Sequence, residues 1–139
     1  MEALWAPALH GRLTCEAYIH STEGVGGSRM ILRLDGEAFW DHPTMFFDHL
    51  DLPTRWTPIQ KNYGSWYYPI PLGLIEAYMN TPVVELMEPI HGDDYDLCDI
   101  LRAADRRIGF KRLMWWAMFE MPAGSLAKKV LAVRFNKAL

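Results

Sequence analysis

The chain has 139 residues, half of them hydrophobic, with a formal net charge of −3. That is enough apolar material for one self-sufficient core over residues 1–139, and too much for a disordered polymer. No apolar run approaches the roughly 18 residues of a membrane span, and Cys15 and Cys98 fit neither a metal motif nor a disulfide framework.

The first residues, MEALWAPALHGRL, lack a basic segment followed by a long apolar one, so no secretory leader is expected, and the two distant cysteines lead us to expect a reduced cytoplasmic setting, that of a host cell included. The small net charge conceals a division. Residues 1–101 hold 15 acidic and 5 basic side chains, whereas residues 102–139 hold 2 acidic and 9 basic. Such asymmetry points either to a basic binding surface or to a basic part packed beside an acidic one through weak exposed pairs.

In chain order, Leu13, Cys15, Ala17 and Ile19 alternate with Arg12, Thr14, Glu16, Tyr18 and His20, the pattern of a half-buried strand. After the turn-rich STEGVGGS, Met30, Leu32 and Leu34 alternate with Arg29, Ile31 and Arg33. Together they predict an antiparallel hairpin. Gly24, Gly26 and Gly27 have no following Lys-Ser/Thr, so a phosphate loop is not indicated. Asp35-Gly36 marks another turn. Asp41 or His42 before Pro43 is placed to start a short helix through His49. Prolines 53, 58, 69 and 71 exclude a long helix there, and Arg55–Lys61 with Ser65–Tyr68 fit a second hairpin across Asn62-Tyr63-Gly64.

Leu72–Met79 fits a short helix, and Thr81-Pro82 is suited to restart another through about Glu88. The longest helical pattern runs from Asp96 to Met121, with acidic residues before it where a helix dipole favours them. Leu97, Leu101, Ala104 and Ile108 form one stripe; past Gly109 the stripe moves to Phe110, Leu113, Met114, Ala117, Met118 and Met121. The stripes point about 130° apart, so Gly109 marks either a break or a helix buried on a second side. Leu113–Phe119 is apolar all round, including Trp115 and Trp116, as expected for a core helix surrounded by protein. Ser125 can cap a last helix from Leu126 to about Phe135, although KVLAVRF also alternates like a strand. The fold class expected is α+β, with one or two antiparallel hairpins in the N-terminal half packed against a helical C-terminal half.

Three groups of residues bear on function. Arg102, Arg106, Arg107, Lys111 and Arg112 form a basic cluster whose guanidinium forks suit phosphate or carboxylate. Arg102 and Arg106 lie opposite the Leu97/Leu101 stripe and are expected to face solvent. The plainer account pairs Asp99 with Arg102 and uses Asp105 locally. Trp66, Tyr67 and Tyr68, with Trp56 and Tyr63, are aromatics of the kind that stack bases or anchor interfaces, or that fasten a proline-rich loop to a core.

His20-Ser21-Thr22 and His42-Pro43-Thr44 are both His-x-Thr. They resemble the paired motifs of two-histidine phosphoesterases, which implies histidines exchanging protons and hydroxyls holding phosphate. The resemblance covers only these tripeptides. Their separation is short for the related halves of that fold, and Pro43 stands where a strand should continue, so we read them as coincidence. Asp41, His42, Asp48 and His49 match no zinc spacing, and Asp93, Asp94, Asp96 and Asp99 lack the calcium-loop pattern. No metal or cofactor is expected.

The reading that follows is a small non-enzymatic interaction protein, an adaptor or inhibitor for a protein or nucleoprotein partner. Its contact residues would be the basic cluster and Trp66, Tyr67 and Tyr68. The alternatives are a phosphoesterase or metal-dependent hydrolase using the His20–His49 region, and a nucleic-acid-binding module built from the basic cluster and the aromatic segment.

Overall fold

Alternating apolar side chains on either side of a turn-rich segment produce the expected hairpin. In the computed structural model, which describes residues 1–22, 25–42, 70–90 and 96–137, β1 (Leu13–Thr22) pairs antiparallel with β2 (Val25–Leu34). The chain then reverses at Asp35-Gly36 into β3 (Glu37–His42), completing a sheet of order β1-β2-β3. Both turn residues have positive φ, 52° and 87°, as the two-residue turns that match strand twist require. Asp41 and His42, expected at a helix start, instead end β3. The remainder of that expected helix and the second hairpin fall outside the described residues.

The two faces of the sheet differ chemically. Met30, Leu32, Trp40 and His42 lie at facing register positions and are buried in the core. On the other face Arg33 pairs with Glu16 at 2.9 Å and Arg29 with Asp41 at 2.7 Å, flanking Ile31, which is also buried. The N-terminal residues form two 3₁₀ turns, Glu2–Leu4 and Pro7–Leu9, and belong to the core through Trp5 and Leu9. The indole of Trp5 donates to the Leu13 carbonyl at 2.8 Å, satisfying its one polar group.

Among the described residues four helices follow: α1 (Ile70–Met79), α2 (Leu97–Ala104), α3 (Phe110–Phe119) and α4 (Ala127–Phe135). The chain is therefore α+β. Thr81 does not start a new helix. Its hydroxyl donates to the Ala77 carbonyl at 2.7 Å, closing α1, and only a 3₁₀ turn at Val83–Glu85 comes after it. KVLAVRF is helical, and α4 ends with Asn136 at φ 51° while Lys137 N–H bonds back to the Ala132 carbonyl. Its N-terminus is held from across the fold. Asp96, itself at φ 66°, accepts from Leu126 N–H at 2.8 Å and from the Ser125 hydroxyl at 3.1 Å, so its negative charge sits at the positive helix end. Burial raises the Asp96 carboxyl to about 6.

The 96–121 pattern is two helices with a corner between them. α2 is the central one: Leu97, Cys98, Ile100, Leu101, Ala103 and Ala104 are all buried. α3 is covered on one face only, by way of Leu113, Trp116 and Ala117. Trp115, Met118 and Phe119 remain 55%, 70% and 67% exposed. The expectation of a helix surrounded by protein is thus corrected. After the break at Gly109 only the side of α3 that carries Leu113, Trp116 and Ala117 is packed.

Three segments build that corner. Ala6 N–H donates to the Ala104 carbonyl and Arg106 N–H to the Leu4 carbonyl, at 2.7 and 2.8 Å. From α4, Arg134 donates to the carbonyls of Ala103, Asp105 and Ile108 at 2.7–2.9 Å, satisfying acceptors that a helix end leaves open. The buried Asp105 carboxylate accepts from the Tyr78 hydroxyl and from Arg107. Burial alone would raise that carboxyl, but bonds from Arg107 and Tyr78 outweigh it and hold it below its usual range.

Candidate interaction surface

The basic cluster does not act as one surface. Arg102 is buried, 5% exposed, which corrects its expected outward position. Its Nε donates to the Leu86 carbonyl at 2.6 Å, Nη2 to the Glu88 carbonyl at 2.5 Å and Nη1 to Asp99 at 2.6 Å. The reason is that α2 is covered all round, so the side opposite its apolar stripe meets the 86–88 segment rather than water. Arg107 is engaged by Asp105 at 2.7 Å. Arg106, Lys111 and Arg112 are exposed. Trp66, Tyr67 and Tyr68 fall outside the described residues.

What the structure does bring together lies on α3. At about 100° per residue, Met118, Lys111, Trp115, Phe119 and Arg112 follow one another around an arc of about 120°, opposite the buried stripe. The rings of Trp115 and Phe119 lie 5.5 Å apart and tilted by 46°, forming an exposed aromatic pair. At the helix start Phe110 packs edge-on against Phe135 at 4.9 Å, under the ammonium of Lys137. Beside the helix runs a cleft of about 390 Å³. Met87, Glu88 and Pro89 form one wall, and Arg112, Trp115, Trp116 and Glu120 the other. The first wall is the segment pinned by Arg102, so that arginine shapes the cleft without facing it.

The sequence held a signal for this surface. Residues 110–119 contain two cations and no acid among eight apolar residues. That composition fits a core helix or a docking helix equally, and only packing separates them. A second exposed apolar group, Met79, Val83 and Val84, carries no comparable signal.

Among the described residues the histidines give no comparable site. His42 is buried and stacked on Trp40, with ring centroids 5.8 Å apart, and burial lowers its imidazole to about 4. The register sets His20 opposite Gly27 and His42 opposite Met30, on the two outer strands with β2 between them. The His20 side chain, Asp48 and His49 fall outside the described residues. Among the described residues no three His, Cys, Asp or Glu side chains converge as a metal site would need. Burial pushes the Cys15 thiol up to about 11, away from the range of a nucleophilic thiolate. Also among the described residues, no helix is long and apolar enough to cross a membrane.

No family model, curated protein or solved structure matches this chain.

Proposed function

We propose that this chain is a small non-enzymatic interaction protein, an adaptor or inhibitor, which binds a protein or nucleoprotein partner through the solvent face of α3. One observation carries the reading. Trp115, Met118 and Phe119 stand exposed on a helix that has other sides to hide them, with Lys111 and Arg112 beside them. Leaving large apolar side chains in water forgoes on the order of 1–2 kcal/mol each, and contiguous exposed apolar patches mark interaction sites. Tryptophan and arginine are also the residues that dominate binding energy at protein contacts. Lys111 and Arg112 favour an acidic surface and would speed encounter with it.

The test is capture from a lysate of the native host, with and without nuclease, comparing the parent with Trp115→Ala/Phe119→Ala. The variant is expected to melt like the parent and to lose at least tenfold of the captured species. Unchanged capture by a folded variant would sink the reading. Capture abolished by nuclease in the parent would move it to nucleic acid, with Arg106, Lys111 and Arg112 on phosphates.

A further inference from the structure

Helix α3 carries its charges against its own dipole. A helix favours acids at its N-terminus and bases at its C-terminus. The first turn of α3 instead holds Lys111 and Arg112 and no acid, and Glu120 caps a last turn that holds no base. Among the described residues no ion pair engages Lys111, Arg112, Glu88 or Glu120 to offset this. The arrangement costs the free chain stability and suits a molecule that brings the opposite charges.

Arg112 and Glu120 both line the cleft beside α3, together with Trp115 and Trp116. Eight helical residues apart, the two charges stand about 12 Å from each other along the axis. Trp116 is four residues from each and so lies midway, with Trp115 next to it. This wall of the cleft is therefore guanidinium, indole, carboxylate in order. The facing wall adds apolar Met87 and Pro89 and a second carboxylate on Glu88.

An extended peptide turns residues i, i+2 and i+4 to one face, the outer two about 13 Å apart. That spacing matches Arg112 and Glu120. In a helical peptide residues four apart rise only about 6 Å, too little to reach both. We propose that the cleft binds an extended segment of a protein partner in which an acidic and a basic residue lie four apart, with a large apolar residue midway. The acid meets Arg112, the base meets Glu120, and the apolar side chain rests against Trp115 and Trp116. Glu88 makes the base the stronger requirement, since the cleft then holds two carboxylates and one guanidinium. This rests on the reading of α3 as a docking face and names the chemistry that the face selects.

The experiment pans a displayed library of random linear peptides on the purified full chain, then measures synthetic versions by calorimetry. The parent is expected to enrich an acid and a base four apart around an apolar residue, in one chain direction. Arg112→Glu should enrich the same pattern with a base in place of the acid. Glu120→Lys should enrich it with an acid in place of the base. Each should bind the parent's peptide at least tenfold more weakly and recover with its own. Trp115→Ala should also lose at least tenfold for the parent's peptide. Both charge variants should melt no lower than the parent, because each places the favoured charge at its helix end. A parent that enriches no common pattern overturns the proposal, as do variants that enrich the parent's pattern unchanged, or a lower melt in both. Lysate capture separates this from the wider reading. If Trp115→Ala/Phe119→Ala abolishes capture while panning yields no such pattern, the docking face stands and the cleft motif falls. If capture is unchanged, the docking face falls and takes the motif with it.

Discussion

The Tyr78 hydroxyl donates a 2.6 Å hydrogen bond to the buried carboxylate of Asp105, 27 residues further along the chain. This one bond ties α1 to the corner between α2 and α3. On the other side Arg107 supplies the countercharge from a guanidinium that is 28% exposed. Tyr78→Phe leaves that countercharge in place and is expected to cost about 1.5–3 kcal/mol, the range for a bond to a charged group. Asp105→Ala should cost more, about 3–5 kcal/mol, because it leaves the buried Tyr78 hydroxyl without an acceptor and the part-exposed Arg107 without its countercharge. Denaturant midpoints of the two variants check the order; equal and negligible losses would show that the corner is not held this way.

Arg102 and Arg106 stand four residues apart and are expected to behave oppositely. Arg106→Glu changes an exposed side chain and should leave the melt nearly unchanged. Arg102→Glu places a second acid beside Asp99 and abandons the carbonyls of Leu86 and Glu88. A loss of about 3–5 kcal/mol is expected. Arg102→Lys should recover only part of it, since one ammonium does not reproduce a planar fork with three partners. Indistinguishable melts for Arg102→Glu and Arg106→Glu would contradict the buried position.

His42 makes stability depend on pH in a defined direction. Its folded value near 4 lies below the 6.5 of an open chain, so the fold prefers the neutral ring. Stability is full above about 6.5 and is lost as pH falls towards 4, by about 3 kcal/mol. Asp96, raised to about 6, acts with the opposite sign, because its protonated form is the one the fold prefers. His42→Phe retains Asp96 and keeps a ring against Trp40, so comparing the two proteins isolates the histidine. The parent's melting temperature should fall more steeply than the variant's between pH 7 and 4; parallel curves would place His42 in contact with water.

The parts legible in the sequence were those set by near neighbours. Alternation along 13–20 and 29–34 defines the first hairpin, and Asp35-Gly36 its second turn, because both depend on local backbone preference. β3 escaped because the register slips between Leu32 and Arg33, so adjacent Phe39 and Trp40 are both buried and no alternation survives. Periodicity located the residues of α2 and α3 but not which helix is central. Mixed α2 is enclosed and nearly all-apolar α3 is not, since composition states what a helix tolerates rather than what covers it. Arg102 was misplaced for a related reason. Its partners lie 14 and 16 residues upstream, in a segment whose path no local pattern reveals. Lys111 and Arg112 were legible as candidates, and the aromatic pair next to them was visible only as core.

The corner at 104–108 also has a bearing on time. It is fastened to residues 4–6, roughly a hundred positions upstream, and to Arg134 on the last helix. Closing such separated contacts costs entropy that nearby packing must first offset. The hairpin can therefore form early, while the direction of α3 is set only when both distant segments arrive. Until then Trp115 and Phe119 ride on an unanchored helix, open to chaperones and to clumping with other unfinished chains. The proposed docking face is then the last part of the chain to acquire its shape.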